Sequence, residues 1–335
     1  MRRLLHLGLT AKLIVTFAVA MAISCGKNDK SPGTEKTDQF ETIRAHIQTW
    51  LSQTGTDTLI MPCSQLMETI LDDWDNQKEN YQIVSVRKPF DFYNVGHIPN
   101  AINVYWTDIV KAGPLFRFHP KKTLIIYCYY GHASMISCTI LGLIGYRCHS
   151  LNFGMMDWNV DALVKAPWDG VADYKTETIV RESKESFPLP VVESEHVDAK
   201  IIVQEMARRY FGGEGSPVIA ASDVKAIVDD WEQRKGEYQI IDVRSKADYE
   251  FGHIPYSINI PLAHVAEIEN LRKLDPDQTI IVYCENGQSG EIAATVLNLL
   301  GYHAVDMIFG MMEWNKSLVD TLKQWDGAAD YPVET

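Results

Sequence analysis

The sequence predicts an α/β protein of two tandem domains, each a parallel sheet flanked by helices on both faces. Short β-branched runs alternate with helical stretches, and this order recurs at an offset of 157 residues at Trp74 and Trp231 and of 156 residues at His97 and His253. Alternating strands and helices favour a parallel sheet with ligands at the carboxyl ends of its strands. A period this long indicates a duplicated domain, because solenoid units are far shorter.

The repeat is visible in four pairs of segments. "ILDDWDNQKENYQIVSVR" matches "IVDDWEQRKGEYQIIDVR", "GHIPNAINV" matches "GHIPYSINI", "FGMMDWN" matches "FGMMEWN", and "WDGVADYKTET" matches "WDGAADYPVET". We therefore predict a first domain over residues 40–181 and a second over 199–335. The charged and proline-containing stretch 182–198 between them is the predicted linker.

The strands and helices of each domain follow from periodicity. "YQIVSV" and "TLIIYC" are typical of strands in the first domain, and "SQLMETILDDW" and "ASMISCTILGLIG" of helices, the latter ending at Gly145. In the second domain "YQIIDV", "TIIVYC" and "SGEIAATVLNLLG" correspond. An amphipathic stretch precedes each domain, "FETIRAHIQTWLSQ" and "AKIIVQEMARRYF". The sequence leaves open whether each packs on its own domain or on the other.

The composition sets limits on the partners. The chain has 335 residues, of which 46% are hydrophobic and 22% charged, so it can bury the cores of about two domains. Its formal net charge of −13 argues against nucleic acid or an anionic membrane surface as the main partner, because both would repel it.

Residues 1–25 have the pattern of an export signal. A basic start precedes the apolar stretch "LIVTFAVAMAIS", and "AISC" resembles a bacterial lipobox that would lipidate Cys25, although Ala22 stands where leucine is usual. Residues 26–39 then form a polar tether. These features predict an exported lipoprotein, periplasmic or at the cell surface, with a lipid anchor in the membrane. Two alternatives stay open: cleavage after "AVA" at 18–20, which leaves Cys25 a free thiol, and an uncleaved anchor helix.

The other five cysteines form no disulfide framework, because four lie in the first repeat and Cys284 is alone in the second. Cys128 and Cys284 each stand between a strand and a helix. Backbone N–H groups at a helix N-terminus stabilise a thiolate, which is the nucleophilic form. The alternative is a buried, inert thiol, but the duplicated loop favours chemistry.

These motifs together resemble the rhodanese (sulfurtransferase) domain. The resemblance rests on "DVR", "GHIP", a strand ending in cysteine, "C-x-x-G" and a helix, and it covers nearly the whole mature chain twice. It implies that Cys128 and Cys284 are nucleophiles that attack the outer sulfur of thiosulfate or another sulfane donor. The resulting persulfide would pass its sulfur to cyanide or a thiol. The implied partners are thus a small sulfur donor and a thiol acceptor, with no cofactor.

The resemblance also implies a substrate cradle around each cysteine. Gly131 and Gly287 let the loop curl so that its N–H groups converge on the sulfur, and the helix N-terminus adds positive potential. The predicted cradle residues are Tyr129, Tyr130, Gly131, His132, Ala133 and Ser134 in the first loop, and Glu285, Asn286, Gly287, Gln288, Ser289 and Gly290 in the second.

Both loops depart from the family pattern. Many active members carry an arginine at one of two positions that here are His132 and Ala133, or Gln288 and Ser289. Glu285 should raise the pKa of Cys284 by like-charge repulsion, so we rank Cys128 ahead of Cys284 for thiosulfate. The alternative function is a membrane-tethered module that binds or relays persulfide, or senses redox state, without fast turnover.

Other conspicuous residues are assigned to structure. The related cysteine phosphatases would need an arginine where this chain has Ser134 and Gly290. Several further side chains are interpreted as loop framework, backbone hydrogen-bonding groups or packing groups: Arg87, Asp242, Arg244, His97, His253, Trp158, Trp314 and Cys138, with Cys148 as a less favoured resolving thiol. No His/Cys cluster has zinc spacing, so the sequence predicts no metal site.

Overall fold

The computed structural model describes residues 38–335, apart from Val171, Glu214 and the side chains of Thr56 and Asp57. The predicted export signal, Cys25 and residues 26–37 of the tether lie outside this range. Within it, the helices are all too short or too polar to cross a bilayer.

The described residues form ten strands and fifteen α-helical segments. The strands are β1 Ile60–Met61, β2 Tyr81–Ser85, β3 Ile102–Asn103, β4 Thr123–Tyr127, β5 Cys148–Leu151, β6 Val218–Ile219, β7 Tyr238–Asp242, β8 Ile258–Asn259, β9 Thr279–Tyr283 and β10 His303–Met307. The helices are α1 Gln39–Gln53, α2 Thr56–Leu59, α3 Cys63–Gln65, α4 Trp74–Gln77, α5 Pro89–Asn94, α6 Ala112–Leu115, α7 His132–Leu143, α8 Met155–Trp158, α9 Ala199–Gly212, α10 Ala221–Asp229, α11 Trp231–Arg234, α12 Lys246–Phe251, α13 Ile268–Leu271, α14 Gln288–Leu299 and α15 Gly310–Asn315. A π-helical turn, Leu66–Leu71, joins α3 to α4.

The strands form two parallel five-stranded sheets with the same topology. Their orders are β1-β5-β4-β2-β3 and β6-β10-β9-β7-β8. In the first sheet Ile126 pairs with Val84 on one side and Ser150 on the other, and in the second Val282 pairs with Ile241 and Asp306. Helices cover both faces of each sheet, which confirms the predicted fold class.

Alternate residues of the central strands enter different cores. On β4, Leu124 and Ile126 belong to a core that also includes Ile280 and Val282 of β9 and buried residues of α1, α7, α9 and α14. Ile125 belongs to a separate core on the opposite face of the first sheet. Because side chains alternate across a strand, one face of each sheet contributes to a single core shared by both domains.

The two amphipathic helices α1 and α9 lie in this shared core and contact both domains. On α1, His46 bonds the carbonyl of Leu143 at 2.7 Å, and Arg44 donates to the carbonyl of Ala266 at 3.0 Å. On α9, Arg208 donates to the carbonyl of Val110 at 3.1 Å. Each helix therefore packs between the domains rather than on one alone.

The last segment of each repeat crosses to the other domain. We call residues 172–178 strap 1 and residues 325–335 strap 2. In strap 1, the Tyr174 N–H donates to the carbonyl of Trp314 at 2.8 Å, and the Trp314 indole N–H donates to the carbonyl of Lys175 at 3.1 Å. The first repeat thus ends on the second domain.

Strap 2 makes the same contacts in the reverse direction. The Tyr331 N–H donates to the carbonyl of Trp158 at 3.0 Å, and the Trp158 indole N–H donates to the carbonyl of Pro332 at 3.0 Å. Both tryptophans are fully buried. The straps therefore tie the domains together reciprocally.

The histidines of the "GHIP" motifs anchor the ends of the straps. The His97 N–H donates to the carbonyl of Glu334 at 2.8 Å, and the His253 N–H to the carbonyl of Glu177 at 3.0 Å. Each ring also places Nδ1 at 3.1 Å or 2.7 Å from a carbonyl of the preceding helix, α5 or α12. These contacts agree with the backbone-bonding role assigned to the histidines from sequence.

Candidate active sites

Each candidate nucleophile directly follows the last residue of a central strand. Cys128 follows β4 and begins loop 1 (residues 128–134), and Cys284 follows β9 and begins loop 2 (residues 284–290). Both thiols are buried. The twelve-residue helices α7 and α14 begin within these loops, so each sulfur lies at the positive end of a helix.

One glycine N–H in each loop donates to the sulfur. The N–H groups of Gly131 and Gly287 lie 3.1 Å from the Sγ atoms of Cys128 and Cys284. Both glycines cap their helices with positive φ angles, 101° and 88°, a conformation that glycine adopts without strain. The donors and the helix N-terminus together favour negative charge on the sulfur.

The main chain of the first "FGMM" segment is hydrogen-bonded to the main chain of loop 1. The N–H groups of Met155 and Met156 donate to the carbonyls of Cys128 and Tyr129, both at 3.0 Å. Gly154 has a φ of 54°, and a Cβ atom placed there would lie 2.5 Å from the Cys128 carbonyl oxygen. The backbone approach therefore requires glycine.

Loop 2 is held in the same way. The N–H groups of Met311 and Met312 donate to the carbonyls of Cys284 and Glu285 at 2.8 Å and 2.7 Å. A Cβ atom on Gly310 would overlap the Cys284 carbonyl oxygen. The duplicated motif thus orients both cysteines through their main chains, beyond the packing role that we assigned to its tryptophans.

The two loops contact each other across the domain boundary. A Cβ atom on Gly287 would lie 2.5 Å from the His132 ring, and one on Gly131 would overlap the Gln288 amide. The Gln288 amide also lies 3.5 Å from the Tyr130 carbonyl. Each loop glycine therefore faces the first helical side chain of the other loop.

Cys284 lies in surroundings that disfavour its thiolate. Burial makes the largest contribution, followed by the negative charges of Glu285 and Asp306, and together they raise the pKa of Cys284 to about 12. Hydrogen bonds from the Ser289 hydroxyl and the Gly290 N–H oppose this shift only in part. The contribution of Glu285 has the direction expected from sequence.

We expect Glu285→Gln to increase the rate at which iodoacetamide alkylates Cys284 at pH 8 by about 3- to 10-fold. Removing the carboxylate lowers the pKa of the thiol, and each unit changes the thiolate fraction about tenfold. In the wild-type chain the rate should rise throughout pH 7–10 without a plateau, because the pKa of about 12 lies above this range. Peptide mass spectrometry would measure the modification at this residue.

The matched control is Glu250→Gln, which removes an exposed carboxylate whose partner is Lys246 at 3.6 Å. This variant should react like the wild type. An unchanged rate in Glu285→Gln, or a plateau near pH 8, would show that Glu285 does not govern the thiolate of Cys284.

A cavity of about 510 Å³ lies beside loop 2. Glu285, Asn286 and Ser289 line it together with Arg244 and Lys323. The Lys323 ammonium lies 2.7 Å from the Glu285 carboxylate, so one cationic side chain from outside the loop reaches this space. It is large enough for a small sulfur donor.

Loop 1 differs from loop 2 in carrying two aromatic side chains, Tyr129 and Tyr130. The Tyr130 hydroxyl donates to the carbonyl of Ala166 at 2.6 Å, and the Tyr129 hydroxyl donates to Asp91. The Lys165 ammonium lies 5.1 Å and 5.8 Å from the centres of the two tyrosine rings. Loop 1 therefore also has a lysine nearby, although its two tyrosines occupy the positions of Glu285 and Asn286.

The buried arginines of the two repeats have different hydrogen-bond partners. Arg244 forms an ion pair with Asp242, with Nη2 at 2.6 Å from Oδ2, and the two side chains are fully buried. Arg87 instead donates to the carbonyls of Ala162 and Gly96 at 3.2 Å and 2.5 Å, while Ser85 lies nearby. Both arginines hold the segment after a central strand, which fits the framework role expected from sequence.

The profile of the rhodanese-like domain matches residues 70–161 and 222–317, more than half of the chain. The chain belongs to the rhodanese-like family. Both matches contain the strand, cysteine loop and helix described above, so the duplication seen in sequence consists of two rhodanese-like domains.

The chain is similar to three proteins whose names refer to sulfur transfer or to a sulfur carrier. A probable adenylyltransferase/sulfurtransferase of Mycobacterium tuberculosis is 23% identical over 75% of this chain and 64% of its own length. A putative sulfur carrier protein of Bacillus subtilis is 31% identical over 31% of this chain and 57% of its own. The solved structure of a thiosulfate sulfurtransferase from Pseudomonas aeruginosa aligns with 88% of this chain and 50% of its own, at 16% identity and a TM-score of 0.31.

The chain spans less than two thirds of the length of these relatives. An adenylyltransferase and sulfurtransferase of Ogataea parapolymorpha, for example, is 29% identical over 35% of this chain and 30% of its own length. The curated relatives therefore contain further sequence that this chain does not match.

The structure places the predicted cradle residues in two groups. In the rhodanese-like loop 1, Gly131 and Ser134 lie at the thiol, with the Ser134 hydroxyl 3.5 Å from the Cys128 sulfur. The His132 imidazole instead contacts the second domain, 3.1 Å from Asp306. In loop 2 the Asn286 amide donates to the carbonyl of Lys323 at 3.1 Å and so helps to shape the cavity.

Sequence reasoning missed two kinds of residue around the rhodanese-like loops. It did not select Lys165 and Lys323, which lie just after the "FGMM" helices and bring positive charge to loops that lack arginine. It also did not assign the "FGMM" N–H groups to the loop carbonyls. The exact repetition of "FGMM" was an available signal, because packing alone does not require glycine at that position.

Proposed function

We propose that the chain is a sulfurtransferase that moves sulfane sulfur through a cysteine persulfide. The observation that carries the proposal is the pair of thiols at helix N-termini, each accepting a glycine N–H at 3.1 Å. This geometry supports a thiolate, a persulfide and a bound anion alike. The family and the names of the relatives agree with it.

The proposed reaction has two balanced steps. The cysteine thiolate attacks the outer sulfur of thiosulfate, the sulfur–sulfur bond of the donor breaks, and sulfite leaves with the electron pair. With polysulfide, the leaving group is the shortened polysulfide. Cyanide or a thiolate then attacks the terminal sulfur of the persulfide, which forms thiocyanate or a new persulfide and restores the cysteine thiolate. No cofactor is needed.

The charges near the loops favour small anionic donors. Lys323 lines the cavity at loop 2, and Lys165 lies above the tyrosines of loop 1. A different feature limits the reaction at each loop. Loop 2 has an adjoining cavity but a thiol whose pKa is raised to about 12, whereas loop 1 has its side covered by Tyr129 and Tyr130.

The test is the intact mass of the full chain after exposure to thiosulfate or polysulfide, compared with Cys128→Ser and Cys284→Ser variants. We expect the wild type to gain one sulfur atom per working loop and the matching variant to lose that gain. Cyanide should then remove the sulfur as thiocyanate. Cys138→Ser, which changes a buried thiol on α7, is the control and should keep the label.

Two other outcomes would change the proposal. No gain of sulfur with either donor, while both thiols are reduced and accessible, would contradict persulfide chemistry. A stable persulfide that cyanide and thiols remove only slowly would instead support the alternative, a persulfide-binding, relay or redox-sensing module. The raised pKa of Cys284 is the observation that favours this alternative for loop 2.

We also propose that Cys25 carries a lipid and anchors the chain to a membrane on the exported side. This part rests on the sequence pattern of residues 1–25. The mass of the protein recovered from membranes should include a diacylglycerol group on Cys25, and Cys25→Ser should release the protein into the soluble fraction. An unmodified Cys25 would contradict the anchor.

A further inference from the structure

A histidine and two carboxylates meet where loop 1 contacts the second domain. Nδ1 of His132, at the start of α7, lies 3.1 Å from Oδ2 of Asp306 on β10 and 3.3 Å from Oε2 of Glu291 on α14. Both carboxylate side chains are fully buried, and the histidine side chain is 9% exposed. The cluster therefore lies at the boundary between the domains, away from solvent.

Several polar atoms in this cluster lack a hydrogen-bond partner. They are Nε2 of His132, Oε1 of Glu291 and Oδ1 of Asp306. The hydroxyl of Thr295, one helical turn after Glu291 on α14, is also without a partner. Buried polar groups are almost always paired, so this concentration of unpaired polar atoms is unusual for a packed core.

The charges of the cluster do not balance by themselves. Two carboxylates and one imidazolium leave one negative charge in a buried site, where unpaired charge is costly. Throughout the described part of the chain, the ion pairs to Glu291 and Asp306 come from His132, and none comes from a lysine or arginine. A divalent cation would neutralise both carboxylates while the imidazole stays neutral.

The fold itself does not require these three side chains. At the residue offset of 156 that relates the cysteine loops, Gln288 corresponds to His132, Met135 to Glu291, and Ser150 to Asp306. The first domain builds its helix and strand with Met135 and Ser150, and the second domain begins its helix with Gln288. The Ser150 hydroxyl lies 2.8 Å from the Ser134 hydroxyl. All three positions of the cluster thus depart from the repeat.

We propose that His132, Glu291 and Asp306 bind a divalent transition-metal ion such as Zn²⁺ between the two domains. One imidazole nitrogen and two carboxylate oxygens are ligands that Zn²⁺ takes in proteins at about 2.0–2.2 Å. Two atoms bound at that distance, roughly 90–110° apart, lie about 2.9–3.5 Å from each other. The separations of 3.1 Å and 3.3 Å from His132 Nδ1 fall in that range.

The ion would link loop 1 to the second domain. Its three ligands come from α7 of the first domain and from α14 and β10 of the second, and the helices α7 and α14 begin in the two cysteine loops. Binding would therefore fix the loops relative to each other. The sequence does not reveal such a site because its residues share no local spacing.

The competing explanation is an ion pair with a shared proton and no metal. The same distances suit hydrogen bonds from a protonated His132 to the carboxylates. The two explanations differ in metal content and in the effect of added Zn²⁺ on stability, which makes them separable by experiment.

The experiment uses the full chain purified without a metal-affinity step. Elemental analysis should find about one equivalent of a divalent transition metal, or the metal-free chain should bind one Zn²⁺ and unfold at a higher temperature. His132→Gln and Asp306→Ser, which introduce the residues of the other repeat, should weaken Zn²⁺ binding by more than about 100-fold, beyond the usual effect of an outer-shell change.

His264→Gln is the matched control. His264 forms an exposed pair with Glu267 at 2.7 Å, so this variant should bind Zn²⁺ like the wild type. Ca²⁺, which prefers oxygen ligands, should raise the unfolding temperature less than Zn²⁺ does.

Co²⁺ supplies a second readout on the wild-type chain, in case the variants fail to fold. Nitrogen and oxygen ligands give weak visible bands, whereas thiolate ligands add strong charge-transfer absorption in the near ultraviolet. We expect the weak bands alone. Thiolate absorption, Zn²⁺ binding that survives His132→Gln, or no bound metal and no stabilisation by Zn²⁺ would overturn the proposal.

Discussion

Gly310→Ala is expected to lower the free energy of unfolding by about 2 to 5 kcal/mol and to abolish sulfur transfer at loop 2. The glycine has a φ of 52°, and an added Cβ atom would overlap the Cys284 carbonyl oxygen. Strained backbone and overpacking each cost on the order of 1–3 kcal/mol. Relief of the overlap would shift the main chain that the Met311 N–H now holds.

Gly154→Ala should have the same effect on loop 1, because its Cβ atom would lie 2.5 Å from the Cys128 carbonyl oxygen. Thermal unfolding and the gain of sulfur by intact mass would measure stability and transfer separately. Gly113→Ala is the control, since no atom lies within 4 Å of its added Cβ. If Gly310→Ala keeps wild-type stability, the close approach to loop 2 is not a constraint.

Asp242→Ser should cost about 3–5 kcal/mol, the usual result of removing one partner from a buried ion pair. The substitution leaves the Arg244 guanidinium fully buried without the carboxylate that it contacts at 2.6 Å. One of its nitrogens, Nη1, already lacks a hydrogen-bond partner. The midpoint of urea unfolding, followed by circular dichroism, would measure the loss.

The first repeat provides the reciprocal variant, Ser85→Asp. It would give Arg87 the carboxylate that Arg244 has, and we expect its stability to stay within about 1 kcal/mol of the wild type, because the gain of a buried pair is offset by desolvation. Equal midpoints for Asp242→Ser and the wild type would mean that carbonyl groups can replace the carboxylate, as the carbonyls of Gly96 and Ala162 do around Arg87.

The fold class followed from sequence because its signals are local. Strand residues such as Leu124 and Ile125 alternate between two cores, and the cysteine loops carry their turn glycines at fixed spacing. The geometry of the loops was predictable for the same reason, since Cys128, Gly131 and the start of α7 lie within five residues of one another.

The crossing of the straps was not predictable, because the two domains are so alike. Strap 1 meets Trp314 and strap 2 meets Trp158 through the same hydrogen bonds. A strap folded back on its own repeat would find the same partners. The sequence therefore specifies what each strap binds and does not specify in which copy.

The same limit applies to the cluster of His132, Glu291 and Asp306. In the sequence, each residue occupies an ordinary position in a helix or a strand. Only the packing of the two domains against each other brings the three side chains together. Long-range placement of this kind depends on packing of the shared core, which no short motif encodes.

Strap 2 has a consequence for the order in which the protein folds during synthesis. Domains generally fold one after another as they leave the ribosome, beginning with the N-terminal one. Here the first domain receives the last eleven residues of the chain, including the carbonyl that binds the Trp158 indole. It therefore stays incomplete until strap 2 has been synthesised, and the two halves must mature together.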